Sequence, residues 1–130
     1  MFEKLGIDTM KVLEAAKAKY NFQVHYPGAG VGGPCLPINS YQLLNTARRT
    51  GTKLSIIESG RMINESMPDH VIELTCDAFN ECKKPIKNSK ILVMGISYKP
   101  NVKDIQLSPA KYIIKKFQNL GSLVHIKSRR

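Results

Sequence analysis

The strongest constraint on this 130-residue chain is a strand–helix–strand pattern between residues 90 and 126 that contains no hairpin turn. Ile91-Leu92-Val93-Met94-Gly95-Ile96 is an unbroken apolar run of β-type residues, as expected of a strand buried on both faces. A loop from Ser97 to Leu107 follows. Ser108-Pro109 then gives a cap and first-turn signal for a helix to about Leu120, with Ala110, Ile113, Ile114 and Phe117 inward. Gly121 stops the helix, and Leu123-Val124-His125-Ile126 reads as a second short strand. Two strands joined by a helix run parallel. A parallel pair needs more strands beside it and helices on both faces. Residues 87–130 are therefore expected to be the start of a larger α/β domain, completed by other residues or left with exposed apolar edges.

The preceding residues read as helical. Asp8 is a plausible N-cap for a helix to about Tyr20, with Met10, Leu13, Ala16 and Tyr20 on one face. Asn39 or Ser40 can cap a helix from Tyr41 to about Thr50, stopped by Gly51. A further helical stretch carries a mixed stripe of Leu54, Ile57, Gly60 or Arg61, and Ile63 or Asn64. Ser66-Met67-Pro68 is expected to punctuate it and start another helix, with Val71, Leu74, Ala78 and Cys82 on a stripe ended by Lys83-Lys84-Pro85. The fold class predicted is mainly α followed by α/β, with one unit over residues 1–86 and an incomplete parallel βαβ unit over 87–130.

Between the first two helices, residues 22–37 hold four glycines and three prolines, which excludes regular structure. Glycines at this density let a backbone approach a ligand, and their N–H groups can form an anion-binding concavity. Cys35 follows directly, ahead of a helix N-terminus, where a thiolate is favoured. Together these suggest a nucleophilic cysteine; the plainer reading is a tight structural loop around a buried one. No histidine is placed as its base: His25 lies ten residues away with an exposed or capping role expected, and His70 and His125 are isolated.

Charge is uneven. Residues 1–82 carry eight basic and nine acidic side chains, residues 83–130 twelve and one. The second part is expected to face an anion or an acidic surface, or to be a solvated basic face. Without a nucleic-acid-binding motif, nucleic acid is the weaker partner. The other two cysteines, Cys76 and Cys82, are read as small apolar helix residues. Three cysteines are too few for a disulfide scaffold, no metal-ligand spacing occurs, and a reducing cytoplasm is expected. No apolar run reaches the roughly 18 residues of a membrane span.

The stretch YPGAGVGGPCLPINSYQLL resembles the active-site loop of the UDP-glucose/GDP-mannose dehydrogenase family, nearest to its UDP-N-acetylmannosamine/UDP-N-acetylglucosamine 6-dehydrogenase branch. ILVMGISYKPNVKDIQLSPAKYIIKKFQNLGSLVHI is similar to the opening of that family's C-terminal UDP-binding domain. EKLGIDTMKVLEAA and INESMPDHVIE are similar to its central, dimer-forming helical domain. The resemblance covers about Glu3 to Ile126. It implies oxidation of the C6 alcohol of a UDP-sugar, UDP-N-acetylmannosamine foremost, to a carboxylate. Two hydrides pass to NAD, and a cysteine holds the aldehyde as a thiohemiacetal and then a thioester. Cys35 matches that nucleophile, Gly32 and Gly33 the backbone lining the sugar, and Tyr26 a position at the loop's entrance. Lys99 matches the lysine reaching the substrate from the C-terminal domain. A homodimer through the helical domain is also implied.

The departures are specific. Asn39 stands where the family has an aspartate, and an amide cannot accept a proton at neutral pH. Gln106 and Leu107 replace an arginine and a glutamate, and Pro34 replaces the branch's usual histidine. No G-x-G-x-x-G turn for NAD follows a strand. The family's N-terminal NAD-binding Rossmann domain is thus expected to be absent, and Lys127-Ser128-Arg129-Arg130 departs from the UDP-binding domain's continuation. Two readings follow: part of a nucleotide-sugar dehydrogenase, inactive alone, or a non-catalytic dimerisation module with a basic C-terminal half.

Overall fold

The computed structural model describes residues 1–128; Arg129 and Arg130, both counted in the basic excess, lie outside the described residues. After a 3-10 turn at Glu3–Leu5 come α1 (Thr9–Ala16), α2 (Leu36–Arg49) and α3 (Ser55–Glu81). Strand β1 (Lys90–Met94), α4 (Pro109–Asn119) and β2 (Leu123–Lys127) follow. The strands pair in parallel, with Lys90 opposite Leu123 and Met94 opposite Lys127. This is the expected helical part followed by a two-stranded βαβ unit.

Local chemistry accounts for several boundaries. The Asp8 carboxylate accepts from the amides of Met10 and Lys11 at 2.9 and 3.4 Å, satisfying two donors at the start of α1. The buried Ser108 hydroxyl accepts from the Ala110 amide at 3.3 Å, with Pro109 as first residue of α4.

Three expectations are corrected. First, α1 ends at Ala16 rather than near Tyr20, and turns carry the chain on. Second, α2 begins at Leu36, with Cys35 rather than Asn39 or Ser40 at the cap position. Pro37 does not prevent this, because a first-turn residue needs no helical N–H partner. Third, α3 is one 27-residue helix that runs through Pro68 instead of breaking there. Proline lacks the N–H that would bond the carbonyl four residues earlier, here that of Asn64. Gly30 occupies that place: a Cβ added to it would lie 3.1 Å from the Asn64 carbonyl oxygen. The glycine-rich loop thus packs where the helix has a carbonyl to spare.

The core joins α3 and α4 over one face of the sheet. Ile72, Ile113 and Phe117 form its buried centre, with Ala29, Val71, Cys76, Ile86, Ile91 and Val124 packed against it. At the edge of this packing, Tyr112 on α4 donates to Asp69 on α3 at 2.7 Å. A hydrogen bond to the Tyr112 oxygen, with the Asp69 carboxylate nearby, holds the Lys116 ammonium above its ordinary range. The strands are not buried on both faces as their composition suggested. Leu92 is 56% and Met94 79% exposed, because both helices lie on the other side. Among the described residues no helix is long and apolar enough to cross a membrane.

Candidate functional site

The glycine-rich loop is fixed by α3 below it and by the 97–107 loop beside it. The Val31 amide donates to Asn64 Oδ1 at 2.7 Å, and Asn64 Nδ2 donates back to the Val31 carbonyl at 3.2 Å. One side chain therefore satisfies both polar groups of one loop residue, as a neighbouring strand would.

On the other side, the Gly33 amide donates to the Gln106 carbonyl at 2.9 Å. A Cβ on Gly32 would sit 2.3 Å from the Leu107 carbonyl oxygen, and one on Gly33 2.7 Å from the Tyr98 ring. Gly33 also has φ +89°, a conformation side chains rarely adopt. Asp104 curls the facing loop: its carboxylate accepts from the Gln106 amide at 2.8 Å, and its carbonyl from Tyr98 at 3.2 Å. These contacts correct the anion-concavity expectation at Val31 and Gly33. Both amides are spent within the chain, so the glycines here serve close packing of two backbones.

What the loop presents is Cys35, an exposed free thiol at the N-terminal cap of the 14-residue α2. The Asn39 amide donates to the Cys35 carbonyl at 2.9 Å, closing the first turn, so the exposed Asn39 side chain lies one turn further along α2. The positive end of α2 favours an anionic ligand beside this sulfur. Lys99 is exposed and follows Tyr98, whose ring faces Gly33, two residues before Cys35. The exposed Tyr26 instead donates its hydroxyl to Glu14 on α1 at 3.5 Å. His25 Nδ1 lies 3.0 Å from the Gln23 carbonyl. His70 is not isolated: its Nε2 is 3.4 Å from Glu3 and its Nδ1 3.9 Å from Glu73. Neither histidine is hydrogen-bonded to the thiol.

Beneath the loop, a cavity of about 250 Å³ opens between the end of β1 and the start of α4. Gly30, Val93, Gly95, Tyr98, Pro109 and Ile113 line it, and Cys35 does not. Among the described residues no three His, Cys, Asp or Glu side chains gather as metal ligands. Sequence reasoning missed Asn64, Tyr98 and Leu107 as supports of the loop. One available signal was the Asn64–Pro68 spacing, which marks a helix carbonyl with no intrahelical donor.

Comparison with known proteins matches residues 1–66 to the central domain of the UDP-glucose/GDP-mannose dehydrogenase family. The chain is 32% identical over 126 residues to the UDP-N-acetyl-D-glucosamine 6-dehydrogenase of Pseudomonas aeruginosa, covering 97% of this chain and 30% of that protein. The UDP-D-ManNAc dehydrogenase structure from Pyrococcus horikoshii superposes with a TM-score of 0.86 at 29% identity, covering 96% of this chain and 29% of the other. The UDP-N-acetyl-mannosamine dehydrogenase of Staphylococcus aureus gives a TM-score of 0.71 at 30% identity, covering 98% and 27%. The chain thus spans under a third of the length of these relatives.

Proposed function

Since the chain belongs to the UDP-glucose/GDP-mannose dehydrogenase family, we propose that it is the central portion of an NAD-dependent UDP-sugar 6-dehydrogenase. UDP-N-acetylmannosamine is the sugar first in line, and Cys35 is the residue that captures the C6 aldehyde. The observation that carries this reading is an exposed thiol at a helix N-terminus, at the end of a glycine-rich loop held from two sides. Residues 1–86 serve as the central helical domain and 87–130 as the start of the UDP-binding domain.

The chain's own chemistry concerns one carbonyl carbon. The Cys35 thiolate adds to the aldehyde, a sulfur–carbon bond forms, and the former carbonyl oxygen takes a proton to give a thiohemiacetal. Sulfur suits the task because a thiolate both attacks and leaves readily. Gly32 and Gly33 let the loop pack against Leu107 and Tyr98 and so fix the backbone that leads to the sulfur, and Lys99 offers a point charge to a pyrophosphate. Tyr26 borders the loop at its entrance. Asn39 can hydrogen-bond to a reacting oxygen, but its amide takes no proton, so it supplies no general base for hydrolysis.

NAD does not fit the described residues. After β1 the chain enters the irregular 95–108 segment instead of a short glycine turn into a helix, and the loop glycines follow no strand. Hydride chemistry therefore has no residues here to hold its carrier. The free cysteines accord with a reducing cytoplasm. Ile56, at 89% exposure, Met62 and Ile63 on α3 give a second copy an apolar surface for a homodimer.

Calorimetric titration tests the division of labour. Weak binding of UDP-N-acetylglucosamine and no heat with NAD are expected. Tight NAD binding contradicts the assignment, and complete absence of UDP-sugar binding favours a non-catalytic module.

A further inference from the structure

Two adjacent residues on α3 grip the chain on both sides of Cys35. Before the cysteine, Asn64 pairs with both backbone groups of Val31. After it, the Tyr41 hydroxyl on α2 donates to the Glu65 carboxylate, which also accepts from Arg61 Nη2 at 3.2 Å. Arg61 lies over the Tyr41 ring with 5.2 Å between guanidinium carbon and ring centroid, and its side chain is only 13% exposed. Its Nε is buried without a hydrogen-bond partner among the described residues. Arg61 is the shielded member of this group, while Tyr41, at 46%, and the Glu65 side chain, at 51%, stay open to solvent.

Pro68 completes the device. By withholding a donor from the Asn64 carbonyl, it leaves that carbonyl facing Gly30 on the same stretch of loop that the Asn64 side chain holds. Loop, thiol and start of α2 are thus registered to one rigid helix.

We propose that Asn64 and Glu65 are positioning residues that hold the Cys35 sulfur at the positive end of α2, with Asn64 fixing the loop side and Glu65 the helix side. The proposal deepens the reading of Cys35 as nucleophile and rests on it. Neither residue takes part in bond making. Their effect is to keep the sulfur in the field of the helix N-terminus, which selects for anionic reaction partners.

The full chain is alkylated with iodoacetate and, separately, with iodoacetamide at one pH, and each cysteine is followed by peptide mass spectrometry. Each reagent forms one carbon–sulfur bond and releases iodide. The ratio of the two rates cancels both thiolate fraction and plain accessibility, and so reports the local field. In the native chain the iodoacetate/iodoacetamide ratio at Cys35 is expected to exceed that at Cys82 by about threefold or more, the size of a helix-terminus effect. Asn64→Ala is expected to bring the Cys35 ratio down to the Cys82 value. Asn64→Asp, which keeps an acceptor for the Val31 amide but loses the donor to its carbonyl, should fall between. Half-buried Cys76, packed against the core, reports unfolding.

A native ratio at Cys35 no higher than at Cys82 overturns the nucleophile reading and the inference with it. A high native ratio that survives in either Asn64 variant overturns the inference alone. A ratio lost in both variants with Cys76 newly reactive makes Asn64 a general structural residue and also overturns it.

Discussion

Phe117→Ala is expected to remove cooperative folding of the α/β half. Phe117 is 3% exposed, the most deeply buried hydrophobic side chain in the core. It sits on α4 in the cluster that ties α3 to the inner face of the sheet. Truncating a buried Phe costs about 3–5 kcal/mol through lost transfer energy and the cavity left behind. A small domain has about 5–15 kcal/mol in total, and a core this thin belongs near the lower end. Urea unfolding followed by circular dichroism should show the midpoint falling by more than half, or no sigmoidal transition. A midpoint equal to the native chain's would mean that the cluster is not what holds the two parts together.

Gly32→Ala should be nearly as damaging although it adds one methyl group. That methyl would stand 2.3 Å from the Leu107 carbonyl oxygen, 2.9 Å from its carbon and 3.1 Å from the Ser108 Cα. All three are backbone atoms, so no rotamer change relieves the clash. The loops must separate, which also breaks the bond from Gly33 to Gln106. We expect a loss of about 3 kcal/mol. Gly28→Ala is the matched control. It lies in the same loop with nothing within 4 Å of its added Cβ and should change stability by less than about 0.5 kcal/mol. Equal thermal unfolding midpoints for the two variants would contradict the docked arrangement.

These contrasts show what was legible in the sequence. Asp8, Ser108-Pro109 and Gly121 act through neighbours a few residues away, so the boundaries they set could be read directly. The parallel pairing of β1 with β2 followed from the helix between them and needed no long-range knowledge. Pro68 and Pro37 misled because their local cost was visible while its compensation was not. The carbonyl left by Pro68 is faced by Gly30, more than thirty residues earlier, and Pro37 fell in a first turn whose start had been placed too late. The exposure of Leu92 and Met94 agrees with the expectation of an incomplete unit, although composition alone registers what a strand can bury and not which helices cover it.

At the site, Cys35 and its glycine-rich approach stood out because a thiol beside clustered glycines and a helix start is a local chemical pattern. The supports did not. Asn64, Tyr98 and Leu107 gain their roles only when α3 and the 97–107 loop close on residues 30–33. Whether Gly32 and Gly33 face a ligand or another backbone also depends on those partners. In the structure they meet the backbone of Leu107 and the ring of Tyr98.

The central claim is that Cys35 captures an aldehyde, and carbon NMR tests it most directly. The chain is mixed with a UDP-sugar 6-aldehyde labelled with ¹³C at C6. The account predicts a thiohemiacetal carbon signal that appears with the native chain and with a Cys76→Ser/Cys82→Ser double variant, and is missing with Cys35→Ser. A signal that persists in Cys35→Ser, or free and hydrated aldehyde alone in the native sample, would contradict it.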